Sequence, residues 1–101
     1  MLEINLKQLE SFVATVEHSG FTAAAAALYL TQSTVSAHVS ALEQTLGVPL
    51  LVRDRHTVAL TPAGQTLLTG AEDLLRQADA LAAAVHTAAE AAPEPPEPPE
   101  A

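Results

Sequence analysis

The chain contains no cysteine, which excludes disulfides, thiolate metal ligation and thiol nucleophiles. A reducing, cytoplasmic setting fits that composition. No apolar run approaches the roughly 18 residues that a membrane-spanning helix needs. Residues Met1 to Lys7 show no basic region leading into an apolar stretch, so no signal peptide is expected. Basic side chains are scarce: Lys7, Arg53, Arg55 and Arg76 stand against twelve acidic residues. Glycine-rich phosphate loops are absent, and no Ser, His and Asp residues share a recognisable catalytic context. Glu10 and Glu43 fall on separate predicted helices, and about 100 residues enclose too little volume for a substrate pocket. An enzyme is therefore not expected, nor any catalytic residue or cofactor. His18, His38, His56 and His86 are scattered without ligand spacing, so no metal site is expected either.

What the sequence does contain is helical periodicity with clear punctuation. Leu6, Leu9, Phe12, Val13 and Val16 recur at helical spacing behind a capping Asn5, and Gly20 stands just past their end. Thr22 is a natural N-cap for the alanine-rich run Ala23 to Leu28. In that run Ala24, Ala25 and Leu28 share a face on which small side chains allow close helix approach. Val35, Val39, Leu42 and Leu46 then mark a third helix, opened by Thr31 or Ser33 and ended by Gly47. Only Tyr29, Leu30 and Thr31 separate the second helix from the third, a link short enough for a helix-turn-helix. Leu30 is expected to be the apolar residue plugging that turn. Beyond Pro49, Leu50 to Arg53 and Thr57 to Leu60 read as two short strands around the polar tip Asp54-Arg55-His56. A lone hairpin is marginal in water, so it must lean on the helices as a wing.

Thr61-Pro62 is a strong helix start, a cap followed by proline at the first helical position. Helix-compatible sequence continues to about Ala91, a length of roughly 45 Å. Leu67, Ala71, Leu74, Ala78, Leu81, Val85 and Ala88 alternate at spacings of four and three, the seam of a coiled coil, with Leu68, Leu75, Ala82 and Ala89 widening it. The seam either packs back on its own domain or pairs with a second copy, and its length favours pairing. Residues 92–101, A-P-E-P-P-E-P-P-E-A, form an acidic, proline-rich tail that cannot bury apolar surface. The expected organisation is thus a winged helix-turn-helix over residues 1–61, a linker and dimerisation helix over 62–91, and a disordered tail over 92–101. The fold class is mainly α, a three-helix core with a two-stranded wing. Residues 1–61 hold three basic and five acidic side chains, and residues 62–101 one and seven, so most of the acidity lies outside the front domain.

The segment from Phe21 to Leu67 resembles the N-terminal domain of LysR-type transcriptional regulators. The resemblance rests on T-Q-S-T-V-S at 31–36, L-E-Q-T-L-G-V-P-L-L at 42–51 and L-T-P-A-G at 60–64, in order and at the right spacing. Leu6 to Val16 resembles the family's first helix, so the resemblance covers about the first 70 residues, and the remaining segment resembles its linker helix. The resemblance implies a recognition helix starting near Gln32 and lying in the major groove of duplex DNA. Gln32 would pair with adenine, and Thr31, Ser33, Thr34, Ser36 and His38 would reach bases or phosphates. His38 is equally compatible with a solvated helix position. Thr22, at a helix N-terminus, would hold a phosphate. Arg53 would contact DNA backbone or minor groove from the wing, joined by Arg55 and His56. The seam residues Leu67, Ala71, Leu74, Ala78, Leu81 and Val85 would pair two subunits.

The chain departs from that family pattern in charge and in length. Ala37, Ser40, Thr57 and Ala59 are neutral where the family often has basic residues, which lowers non-specific affinity. The family's effector-binding domain has no counterpart in these residues, so no small-molecule effector site is expected. Two functions follow. One is a homodimeric transcriptional regulator that reads an inverted-repeat operator in duplex DNA. The other is a weakly binding or DNA-silent partner that pairs with a full-length relative and modulates it.

Overall fold

The structure, a computed structural model, describes residues 3–54 and 57–91. The expectations for Arg55, His56 and the tail at 92–101 lie outside the described residues. Six elements follow in order: α1 (Leu6–Glu17), α2 (Phe21–Leu28), α3 (Gln32–Leu46), β1 (Leu51–Arg53), β2 (Val58–Leu60) and α4 (Pro62–Ala91). This is the mainly helical winged helix-turn-helix with a long last helix that the periodicity implied. No described helix is long and apolar enough to cross a membrane.

Local chemistry sets most of the element ends. Asn5 caps α1 through a reciprocal pair: its side chain accepts the Gln8 N–H at 2.9 Å, and the Gln8 side chain accepts the Asn5 N–H at 3.3 Å. The C-termini of α1 and α2 close in the same manner. Gly20 N–H reaches back to Thr15 O at 3.0 Å with Ser19 in the left-handed region, and Leu30 N–H reaches Ala25 O at 2.9 Å with Tyr29 there. Gly47, at φ 72°, ends α3 as expected.

Two expected details differ. Helix α2 starts at Phe21 with Gly20 as its cap, so Thr22 lies in the first turn and does not cap. The reason is tertiary: Phe21 packs on both apolar clusters of the domain, and Ala24 N–H bonds to Gly20 O at 3.2 Å. Leu30 does not plug the turn but remains exposed, because the backbone closure at Ala25 already fixes the chain reversal.

The main core joins Leu9, Phe12 and Val13 of α1 to Val39 and Leu42 of α3, Leu50 and Leu51 at the wing, and Ala71 of α4. A smaller cluster of Ala14, Ala24, Ala25 and Val35 holds α2 in the angle between α1 and α3. Each fully buried large side chain here stabilises the fold by about 1.5–3 kcal/mol. Ser11 and Thr15, buried within α1, are both hydrogen-bonded. The wing is a two-stranded antiparallel hairpin in the register Leu51↔Leu60, Val52↔Ala59 and Arg53↔Val58.

The wing and α4 are locked together at one crossing. Thr61 donates its hydroxyl to Pro49 O at 2.8 Å and accepts the Gly64 N–H at 3.0 Å, while Thr61 N–H bonds to Leu50 O at 3.0 Å. Helix α4 consequently starts directly beneath residues 49–50. A Cβ at Gly64 would lie 2.1 Å from Leu50 O, whereas one at Gly70 would meet nothing within 4 Å. Helix propensity alone favours alanine over glycine by about 1 kcal/mol at both positions. Urea unfolding at equal chain concentration should therefore separate them: Gly70→Ala stabilises by about 0.5–1 kcal/mol, and Gly64→Ala destabilises by about 3 kcal/mol or more.

Candidate nucleic-acid interface

Helix α3 is built to expose one face at its N-terminal end. Val35, Val39 and Leu42 are all fully buried, and their spacing of four and three fixes the helix's rotation on the core. The opposite face carries exposed Gln32, Ser33, Ala37 and Gln44, with Ser36 half-buried beside them. Gln32 and Ser33 are the first two residues of the helix, where the N–H groups lack intrahelical acceptors and the helix dipole favours anions. Ala37 adds no bulk between Ser33 and Ser40. The result is a short, polar, protruding helix end.

The predicted site residues fall into distinct groups on this frame. Gln32, Ser33 and Ser36 gather at the α3 N-terminus, and Thr22 is exposed at the start of α2. Thr31 is the α3 cap, not a free side chain. Its hydroxyl accepts the Thr34 N–H at 3.1 Å and donates to Thr34 Oγ1 at 2.8 Å, which also engages Thr34. His38 points elsewhere. Its Nδ1 lies 2.6 Å from Ser11 Oγ, and its ring sits in a recess with Lys7, Glu10, Leu28, Leu30 and Thr34. The ring is thus turned toward α1, because position 38 follows Thr34 by one helical turn on the flank facing that helix. The ring thus has a partner within its own domain, and the base- or phosphate-contacting role that the resemblance implied for His38 is a question for binding experiments.

Arg53 is the one predicted wing contact among the described residues, and its surroundings were not legible beforehand. Its guanidinium carbon lies 4.9 Å from the centroid of the Phe21 ring. Its Nη2 is 3.8 Å from Oε1 of Glu43, and the arginine side chain stays 47% exposed. The other carboxylate oxygen of Glu43 accepts Leu50 N–H at 2.8 Å and Leu51 N–H at 3.5 Å. Glu43, noted in the sequence only as lying on a separate helix from Glu10, is a junction between α3 and the wing. Strand alternation is the signal that locates Arg53: Leu51 is buried, so residue 53 emerges on the same inner face.

The dimerisation seam divides. Ala71 is fully buried in the chain's own core and Leu67 packs against that core, as do Leu68 and Leu75. Ala71 is therefore spent within the domain, where α4 packs on α1 and β2, while Leu67 is only partly covered. Leu74, Leu81 and Val85 instead face solvent at 50%, 67% and 60% exposure. From Asp79 to Ala91 every side chain is exposed.

Comparison with known proteins accounts for this arrangement. Residues 6–65 match the family described as bacterial regulatory helix-turn-helix protein, lysR family. The chain belongs to that family. It is 46% identical over 77 residues to a probable hydrogen peroxide-inducible genes activator of Streptomyces viridosporus, covering 76% of this chain and 25% of that protein. It is 43% identical over 76 residues to the Hca operon transcriptional activator HcaR of Escherichia coli strain K12, covering 75% and 26%. The chain thus spans about a quarter of the length of these curated relatives. Among solved structures, the DNA-binding domain of BenM in complex with catB site 1 DNA superposes with a TM-score of 0.80 at 34% identity, covering 83% of this chain and 93% of that one. The CbnR DNA-binding domain in its DNA complex gives the same TM-score and identity, covering 85% and 99%.

Removing the His38 ring tests its placement directly. His38→Ala should cost about 1–2 kcal/mol of folding stability, the worth of a part-buried hydrogen bond and its partner's desolvation. Any sequence preference found in a DNA-binding selection should stay unchanged. A shifted preference would return His38 to the contacting set.

Proposed function

We propose that the chain is a transcriptional regulator that binds duplex DNA sequence-specifically as a homodimer. The carrying observation is the α3 N-terminus, where Gln32 and Ser33 are exposed on a helix whose opposite face is fully buried. A protruding helix end of this kind fits the major groove, and its first turn is where base edges are read in helix-turn-helix proteins. Gln32 offers a paired donor and acceptor that match adenine N7 and N6. Ser33 and Ser36 supply short hydroxyls for bases or phosphates beside it. Thr34 faces its own cap, so its role is to orient the helix end. Thr22 lies among the unpaired N–H groups of the α2 N-terminus, where an anionic phosphate is favoured. Arg53 supplies the wing's contact to the backbone or minor groove.

The far half of α4 supports self-pairing. An isolated helix of a dozen residues is marginal in water even when rich in alanine. Leu74, Ala78, Leu81 and Val85 provide a strip for a partner helix along the part that leaves the domain. A second copy is the simplest occupant, and pairing presents two α3 ends to two half-sites. In this reading residues 1–61 are the DNA-binding unit and 62–91 the linker and pairing helix. A mixed pair with a longer relative would use the same strip, and its recovery in place of homodimers would move the chain to the modulating role.

Substitutions separate the parts of the reading. Gln32→Ala should cost about 1–3 kcal/mol of discrimination at one base position while leaving low-salt binding to random duplex nearly intact. Arg53→Ala should weaken binding to all sequences and reduce the salt slope by about 0.9 for one lost phosphate contact. Leu81→Asp should convert dimer to monomer in sedimentation equilibrium without unfolding residues 3–54. If Gln32→Ala leaves the preferred sequence intact, α3 is not the reading element. If Leu81→Asp sediments as the unaltered chain does, α4 is not the pairing surface.

A further inference from the structure

The wing arginine is held from two sides by residues of the helix-turn-helix itself. Phe21, the first residue of α2, presents its ring face at 4.9 Å from the Arg53 guanidinium carbon. Glu43, on the last turns of α3, brings a carboxylate oxygen to 3.8 Å from Nη2. Neither contact quenches the cation, because Arg53 remains nearly half exposed and the ion pair is longer than a direct hydrogen bond. Glu43 is itself fixed, since Oε2 takes the Leu50 N–H at 2.8 Å at the entry to β1.

We propose that Phe21 and Glu43 are positioning residues that hold Arg53 in the orientation in which it meets DNA. The proposal rests on the reading of Arg53 as a DNA contact and adds how that contact is set. Three features make the arrangement more than a surface ion pair. The guanidinium carbon lies over a flat ring face, a second restraint from another direction, where a carboxylate alone would restrain it from one side. Glu43 lies on the recognition helix, so the position of Arg53 is referred to α3 and not to a short hairpin that is marginal by itself. Arginine also carries many rotamers, and immobilising them before binding removes an entropic cost that DNA contact would otherwise meet. In a chain with so few cations, one preorganised guanidinium has a larger share of the phosphate contacts.

A double-mutant cycle on the full chain tests this, with a random-sequence duplex at low salt as the probe. Glu43→Gln keeps an oxygen for the Leu50 N–H and removes the charge that Arg53 faces. In the unaltered chain Arg53→Ala should weaken binding by about tenfold, the scale of a hydrogen bond to a charged group. In the Glu43→Gln background the same change should cost less than about threefold, as expected for residues coupled through one contact. Additive effects overturn the positioning role. So does a larger loss in the Glu43→Gln background, which would make Glu43 a competitor of the phosphate. Arg53→Lys keeps the charge without the planar group and requires no change at Glu43. It should lose most of what Arg53→Ala loses, whereas near-full affinity would overturn the role of Phe21. An Arg53→Ala variant that binds as the unaltered chain does would remove the DNA contact itself, and the proposal with it.

Discussion

The packing of α3 on α1 is the contact on which the rest of the molecule depends. Val39 and Leu42 are fully buried in the cluster that holds Phe12, and Val35 in the one that holds Ala14, and that single row sets the rotation of α3 about its own axis. Rotation decides function here, because a turn of one residue is about 100° and would carry Gln32 and Ser33 off the outward face. The same row decides the positions of the flanks. It turns His38 toward Ser11 of α1 and Glu43 toward the wing on the other side. Protein interiors are close-packed, so a helix held in this manner has little freedom to adjust. The exposed α3 end is therefore held firmly by the core beneath it.

Charge is the feature that sets this chain apart from a typical nucleic-acid binder. Residues 1–61 hold three basic side chains against five acidic ones, and one of the acids, Glu43, lies beside one of the bases. Non-specific affinity scales with neutralised phosphates, so this interface relies on few cations. Helix N-termini supply the remaining positive potential without formal charge: α2 begins at Phe21 with no side-chain cap, and α3 begins beside Gln32. In the proposed function such an interface would bind with a shallow salt dependence and gain proportionally more from base contacts than from the backbone. The proposed pairing through α4 would double every contact, which matters most when each protomer contributes few.

Much of the fold was legible from the sequence because its punctuation is local. Asn5, Thr31 and Thr61 cap the helices they precede, and Gly47 ends α3, each through a contact within a few residues. The α3 row showed itself as periodicity. What was missed depends on contacts distant in sequence. Phe21 moves the α2 start two residues ahead of the position that Thr22 implied, because its ring packs on both apolar clusters. Ser11 and His38 meet across 27 residues, and no local pattern announces the pair. The seam of α4 was correct as an apolar stripe, yet spacing does not say which stretch packs at home. Ala71 is at home, and Leu81 is not. Arg53 is the instructive case. Its place on the inner face follows from Leu51 two residues before it, but its partners Phe21 and Glu43 follow only from the assembled fold.

The central claim is that a paired chain reads DNA through the α3 N-terminus. The most direct test is selection of bound duplexes from a random-sequence library by the purified chain, at low and near-physiological salt. The account predicts one enriched inverted repeat at both salts, its half-sites separated by about one helical turn, roughly 10–10.5 base pairs, or a multiple of it. Enrichment of no motif, or retention of random duplexes at low salt alone, would contradict it.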